Sequence, residues 1–364
     1  MSKKQEIKTQ LSAPKLAYRP RQPQKYQPAI GLIGCGAITR SHLTAYTRAG
    51  YQVVALCDID EAQARARQRA FYPEAAVYTN YHDLLSRNDI EVVDIATHPA
   101  IRVSIIEAAL RARKHVLSQK PFVLDLAVGT RLADLADEMG VMLAVNQNGR
   151  YAPHFSYLRQ AVQAGLAGQI HSLQMTVNWN HNGVVGREFN KIKHLILYDF
   201  AIHWFDMVAC LLGQRKALSV YAQIAHSPAQ RAAPALLAHV LIAYEQAQVS
   251  LVFNGDTAYG KQDTTIIIGT EGTLISSGES LHEQTVTLYT AGGAAQPKLS
   301  GDWFPDGFQG TMGELLCAIE ENRQPENNGR DNLRSLALCF AAVASAETGQ
   351  PQQPGQITTL ETFQ

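Results

Sequence analysis

The chain reads as an α/β protein in two parts: a doubly wound parallel sheet, then an α+β unit with an open, mostly antiparallel sheet. Three observations predict this. Short apolar strands alternate with helical stretches from Ala29 to Asn146, a glycine-punctuated turn follows the first strand, and beyond Asn146 strand-length runs follow one another across short turns. A length of 364 residues suits two domains, each with its own core. The boundaries expected are an arm at 1–28, a first domain at 29–146, a second at 147–348 and a tail at 349–364.

Each element has a local reason. The arm is rich in Lys, Gln and Pro and lacks an apolar stretch of the signal-peptide kind. A flexible extended segment is expected, with an arm wrapped on a partner subunit as the alternative. Ala29 to Gly34 is a short apolar strand, Ala37 to Ala49 a helix, Gln52 to Cys57 a strand ending at Asp58, and Glu61 to Phe71 a helix. Strands at Val92 to Ala96, His115 to Leu117 and Val141 to Val145 follow, separated by helices at Ala100 to Arg111 and Asp125 to Met139. A helix near His154 to Ala164 leads into the strand Ile170 to Asn178 and a polar loop, Asn180 to Lys193. The stretch Leu195 to Leu212 reads as one buried helix. Alternating runs at Ala217 to Ile224, Leu237 to Tyr244, Gln248 to Phe253, Thr264 to Ile268, Thr273 to Ser276 and Thr285 to Tyr289 make the open sheet. Helices near Gly310 to Glu321 and Asn332 to Ala346 close the chain.

The polar residues of the buried helix, Asp199, His203 and Asp206, fall at i, i+4 and i+7 and would stack along one face. Each mid-span Asp costs roughly 2.5–3.5 kcal/mol in a bilayer, which opposes a membrane span. The stripe is then either a self-satisfied core network or a working site, because buried carboxylates and imidazoles need partners. Lys plus Arg equals Asp plus Glu at 32 each, so no nucleic-acid footprint is indicated, and a small polar or neutral ligand is expected. The five cysteines are widely spaced, with no C-x-x-C pair, a pattern of reduced cytoplasmic usage rather than a disulfide frame or zinc site.

Gly34-Cys35-Gly36-Ala37-Ile38-Thr39 follows a strand, opens a helix and precedes Asp58 at the end of the next strand. Gly34 permits a sharp turn, Gly36 lets the backbone approach a pyrophosphate, and the helix start at Ala37 and Ile38 offers free N–H groups to it. Asp58 is placed to accept from ribose hydroxyls and would repel a 2′-phosphate, so NAD is favoured over NADP. Thr39 stands where a third glycine is usual. Lys120, in Ser118-Gln119-Lys120-Pro121, lies just past a strand end, where an open parallel sheet gathers its ligand.

These pieces carry a resemblance. Gly34-Cys35-Gly36, Ile95-Ala96-Thr97, Lys114-His115-Val116-Leu117 with Lys120-Pro121, Asn148-Gly149-Arg150 and Asp199-Phe200-Ala201-Ile202-His203 together resemble the glucose-fructose oxidoreductase, inositol dehydrogenase and MocA (Gfo/Idh/MocA) family. Its members pair a Rossmann domain with an open α/β domain. The resemblance implies catalytic roles for Lys120, Asp199 and His203, and nicotinamide-side contacts from Thr97, His98, Gln119 and Lys120. It implies substrate contacts from Lys120, Arg150, Asn178, Trp179, Asp199 and His203, and a homodimer or homotetramer. Three departures stand out: Gln119 replaces the family's Glu, Arg102 replaces a common His, and His194-Leu195-Ile196-Leu197 replaces a glycine-rich run.

The expected chemistry is hydride transfer between NAD and a secondary hydroxyl of a sugar, cyclitol or glycoside. His203 would take the proton, Lys120 would donate to the oxygen, and Asp199 would orient the ring or bind a neighbouring hydroxyl. Trp179, Tyr151 or Trp204 could cover an apolar sugar face. Asp206, outside the matched motif, is expected to be a structural partner. A redox-neutral glycosidase using the loop His181 to His194, and a non-catalytic NAD-sensing regulator, are the competing readings. A metal site from His181, His194, Asp199 and His203 is disfavoured by spacing, and no metal is expected.

Overall fold

The computed structural model describes residues 9–361; residues 1–8 of the expected arm and 362–364 of the expected tail lie outside the described residues. After a two-residue strand β1 (Gln10–Leu11), the first domain runs β2 (Ala29–Ile33), α1 (Thr39–Ala49), β3 (Gln52–Cys57), α2 (Glu61–Phe71), β4 (Ala76–Tyr78), α3 (Tyr81–Leu85), β5 (Ile90–Ile95), α4 (Pro99–Arg111), β6 (His115–Gln119), α5 (Leu126–Met139) and β7 (Leu143–Asn146). Its six strands are all parallel in the order β4-β3-β2-β5-β6-β7. The order reverses between β2 and β5, and such switch points open the crevice that binds ligands. Helix starts follow local chemistry: Asp60, His98 and Asp125 each accept from a backbone N–H of the first turn, and Pro99 opens α4. At three and five residues, β4 and α3 are too short to be read from periodicity.

The second part contains α6 (Pro153–Gln163), β8 (Ile170–Asn178), α7 (Ile202–Leu212), β9 (Ala217–Ala225), β10 (Leu237–Tyr244), β11 (Ala247–Asn254), β12 (Gln262–Gly269), β13 (Gly272–Gly278), β14 (Thr285–Thr290), β15 (Gly293–Ala295), α8 (Trp303–Glu320) and α9 (Gly329–Thr348). The sheet order is β1-β15-β14-β13-β12-β8-β11-β10-β9, antiparallel except for β1 with β15 and β8 with β11. One face packs on helices; the other alternates half-exposed and exposed residues along β10 and β11.

Three expectations need correction. Described arm residues are packed rather than loose: β1 pairs with β15, Tyr157 donates to Pro14 O at 3.0 Å, and the N–H groups of Gln24, Lys25 and Tyr26 converge on the Glu320 carboxylate. Backbone hydrogen bonds and ring contacts such as Tyr18 on Tyr157 do what composition alone does not reveal. Helix α8 crosses the expected domain boundary: Phe308, Met312, Leu315 and Leu316 share a buried cluster with Ile30, Leu32, Leu43, Val92 and Leu117 of the first domain. A parallel sheet needs both faces covered, and α8 supplies part of one. The stretch 195–212 is not one continuous α-helix; a π-helical turn spans Ile196–Phe200, with Ala201 N–H bonded to Ile196 O, before α7 begins. The extra residue in that turn breaks the i, i+4 register.

Asp263, on the inner face of β12, is fully buried, and neither carboxylate oxygen has a hydrogen-bond partner among the described residues. Burial pushes its pKa up to about 7. The folded state thus holds this proton more tightly than the unfolded chain, so its contribution to stability is full below about pH 4 and is lost as pH rises through about 7. Asp263→Asn is expected to raise the thermal midpoint at about pH 8 by several degrees and to change it little near pH 4. An equal shift at both values in scanning calorimetry would remove the assignment.

Candidate active site

At the nucleotide end, β2 turns through Gly34, whose φ of 93° is left-handed and whose missing Cβ would lie 2.8 Å from Ala96 O. A Cβ at Gly36 would meet nothing within 4 Å, so the loop borders open space there. Asp58, just past β3, accepts from Cys35 N–H at 2.6 Å and Asp60 N–H at 2.9 Å. Buried Thr39 donates to Gly36 O at 2.7 Å, folding inward without filling the gap. Room above Gly36, the turn Ala37–Ile38 that leads into α1, and a carboxylate at the strand end fit NAD's pyrophosphate and ribose hydroxyls.

At the reacting end, Lys120 leaves the end of β6 through a cis Lys120–Pro121 peptide. Its Nζ donates to Asp199 O at 2.8 Å and pairs with Asp199 Oδ1 at 3.1 Å, with both side chains mostly buried. The π-turn and α7 thus send the three stripe residues to different partners. Asp199 meets Lys120, Asp206 meets Arg150, and His203 packs edge-on against Trp303 at 5.6 Å. His203 Nδ1 is enclosed and has no hydrogen-bond partner among the described residues. A Cβ on Gly149 would sit 3.1 Å from Trp303 and 3.5 Å from His203 Nδ1, so a side chain there would crowd the Trp303 ring. Burial first, and the Lys120 charge second, hold the His203 pKa well below the ordinary imidazole range. The expectation that Asp199 orients the imidazole is corrected, since its carboxylate is bonded to Lys120 instead.

Thr97 lies just past β5, and His98 caps α4 through Nδ1 at 3.3 Å from Ala100 N. Trp179 packs edge-on against Phe200 at 5.3 Å, beside Asp199. Five residues expected at the ligand make other contacts. Arg150, 2% exposed, is bidentate to Asp206 at 2.6 and 2.7 Å and also holds Asp331 and Glu326 O, so its donors are spent inside the protein. Gln119 turns inward, accepting from Lys120 N–H at 2.7 Å and approaching His42 Nε2 at 3.2 Å. Asn178 follows inward-facing Val177 and so points to the open sheet face, where it accepts from Asn254 at 2.6 Å. Tyr151 and Trp204 are buried in the core. Asp206 accepts from Ser335 as well as Arg150, the structural role expected of it.

Sequence reasoning missed Trp303, which reaches the site from α8 and is anchored by Nε1 donating to Asn148 Oδ1 at 2.9 Å. It also missed Arg67, which donates to Gly36 O at 2.8 Å from α2. No local spacing signals either, because both arrive from elements distant in sequence. His181 comes closer to the site than its loop suggested: its ring lies tilted on Phe200 at 4.7 Å, and burial, with Asp199 opposing and the Lys120 charge adding, lowers its pKa. His194 instead bonds Glu347 at 2.8 Å. Among the described residues no three His, Cys, Asp or Glu side chains converge as a metal site, and no helix is long and apolar enough to cross a membrane.

Comparison with known proteins agrees with this architecture. Residues 29–147 match the oxidoreductase family with an NAD-binding Rossmann fold, and residues 155–275 match the GFO/IDH/MocA C-terminal domain. A D-apiose dehydrogenase of Paraburkholderia graminis is 28% identical over 337 residues, covering 88% of each chain. An inositol 2-dehydrogenase of Rhizobium meliloti is 25% identical, covering 87% of this chain and 96% of that one. A solved oxidoreductase from Agrobacterium radiobacter, in complex with NAD+, L-tartaric acid and magnesium, has the same fold at a TM-score of 0.82 and 19% identity, covering 91% of this chain and 99% of that one. With a family match in each domain, the chain belongs to the Gfo/Idh/MocA family of NAD-binding oxidoreductases.

Proposed function

We propose that the chain is an NAD-dependent dehydrogenase acting on a secondary hydroxyl of a sugar or cyclitol, with Lys120, His203 and Asp199 as its proton-handling group. The observation that carries this reading is Lys120, tied to Asp199 at the carboxyl end of β6 and close enough to depress His203. The relatives named for apiose and inositol support the substrate class.

Bound NAD supplies the hydride acceptor. The carbinol carbon gives up its hydride, its oxygen gives up a proton to the neutral His203 ring, and a ketone remains. Lys120 donates to the same oxygen and stabilises the alkoxide charge that develops as the proton leaves. Asp199 holds Lys120 in place through carbonyl and carboxylate together. Thr97 and His98 border the nicotinamide side, and Trp179 with His181 flanks Phe200 where a sugar ring would lie. The same reading includes a homodimer or homotetramer, supported by exposed Leu241 and half-exposed Ile266 and Ile275 on the open sheet face, in one register row with Ser250 and Gln174 between them, and checked by particle mass in solution.

The test is a panel of pentoses, hexoses, cyclitols and glycosides with NAD and with NADP. Ketone and reduced nicotinamide are expected to appear in equal amounts, with NAD preferred because of Asp58. Glycosidic cleavage without net reduction would install the redox-neutral glycosidase instead. Nucleotide-dependent protein binding without turnover would favour the sensor.

A further inference from the structure

Arg102 is among the largest fully enclosed side chains of the protein, 2% exposed in the first turns of α4. Its Nε donates to Thr97 O at 3.0 Å, Nη2 donates to the same carbonyl, and Nη1 donates to Gln119 O and Pro121 O. Each of these acceptors is a neutral backbone carbonyl. The acidic groups that act on it through space are Tyr198, Asp199 and Asp94. Asp199 is paired with Lys120, and Asp94 is bonded to His42 at 2.7 Å and Tyr46 at 2.6 Å. Burial brings the guanidinium down to about 10, which still leaves it charged at neutral pH. A desolvated cation with no carboxylate hydrogen-bonded to it among the described residues therefore sits among the carboxyl ends of β5 and β6.

That location matters because of the strand order. In a sheet ordered β4-β3-β2-β5-β6-β7, the strands β5 to β7 form the second mononucleotide half, which receives the nicotinamide. The oxidised nicotinamide ring carries a positive charge; the reduced ring carries none. We propose that Arg102 biases the nucleotide site toward NADH over NAD+, its fixed charge opposing the oxidised ring and sparing the neutral one. The reaction balance is unaffected: carbinol plus NAD+ gives ketone, NADH and a proton, and Arg102 exchanges no atoms. The bias shifts the equilibrium between bound reactants and bound products toward ketone and NADH, and it slows NADH departure relative to NAD+.

The test is nucleotide binding alone, without substrate, so it does not depend on the proposed activity. Dissociation constants for NAD+ and NADH are measured by titration for the parent chain, Arg102→Lys and Arg102→Gln. One pKa unit or about 1.4 kcal/mol of charge interaction corresponds to about tenfold in affinity, the scale expected for removing one charge beside the ring in a partly polar site. Arg102→Gln is expected to lower the ratio Kd(NAD+)/Kd(NADH) by about tenfold, whereas Arg102→Lys keeps it within about threefold. Should the Gln variant fail to fold, Arg102→His at about pH 8, where an imidazole is neutral, carries the same expectation. Equal weakening of both nucleotides, with the ratio unchanged, would make Arg102 a clamp only and overturn the proposal.

Discussion

His203→Ala is expected to lower kcat by about 10² to 10⁴ while NAD binds with little change, the range lost when a positioned general base is removed. The ring packs edge-on against Trp303 and lies beside Gly149, so its loss removes the proton acceptor without touching the nucleotide loop. Lys120→Ala is expected to cost about 10² to 10³, because the developing alkoxide then lacks its cation. The pH profile supplies a signature that a packing defect would not. A base must be neutral to act, and burial together with the Lys120 charge holds His203 well below the ordinary imidazole range. The acid limb of kcat/KM for alcohol oxidation should therefore fall below about pH 6.5, and Lys120→Ala should move it upward as the repelling charge disappears. Turnover within a few fold of the parent in the His203 variant would remove it from the reaction.

The nucleotide end was legible in sequence because its parts are local. A strand, two glycines, a helix start and an acid at the next strand end are read in one pass, and Gly34 and Asp58 take the positions this pattern demands. The reacting end was legible only as a set of motifs. Lys120 and Asp199 do meet, yet the spacing argument that led to Asp199 and His203 assumed a regular helix, which the π-turn at Ile196–Phe200 replaces. Asn178 shows a different failure: its motif marks the right strand end, but strand alternation sends its side chain to the opposite face. Trp303 was beyond reach because its part in the site depends on α8 returning across the first domain, a long-range packing event with no local periodicity to announce it.

Arg150→Met is expected to destabilise the fold by about 3–5 kcal/mol while leaving KM close to the parent value wherever the variant remains folded. The guanidinium joins four elements: it leaves the segment after β7, grips Asp206 of α7 with two hydrogen bonds, reaches Asp331 of α9 and bonds Glu326 O ahead of that helix. Asp206 is 1% exposed and would be left with Ser335 as its remaining hydrogen-bond donor. The cost is that of an uncompensated buried carboxylate, larger than the net worth of the pair itself. Arg150→Met combined with Asp206→Leu should therefore recover much of the loss, because both charges leave together. A substrate-binding Arg150 would behave in the opposite way, raising KM with a modest change in the denaturation midpoint and no recovery in the double variant. Chemical denaturation alongside steady-state kinetics separates the two, and the four internal hydrogen bonds predict the structural result.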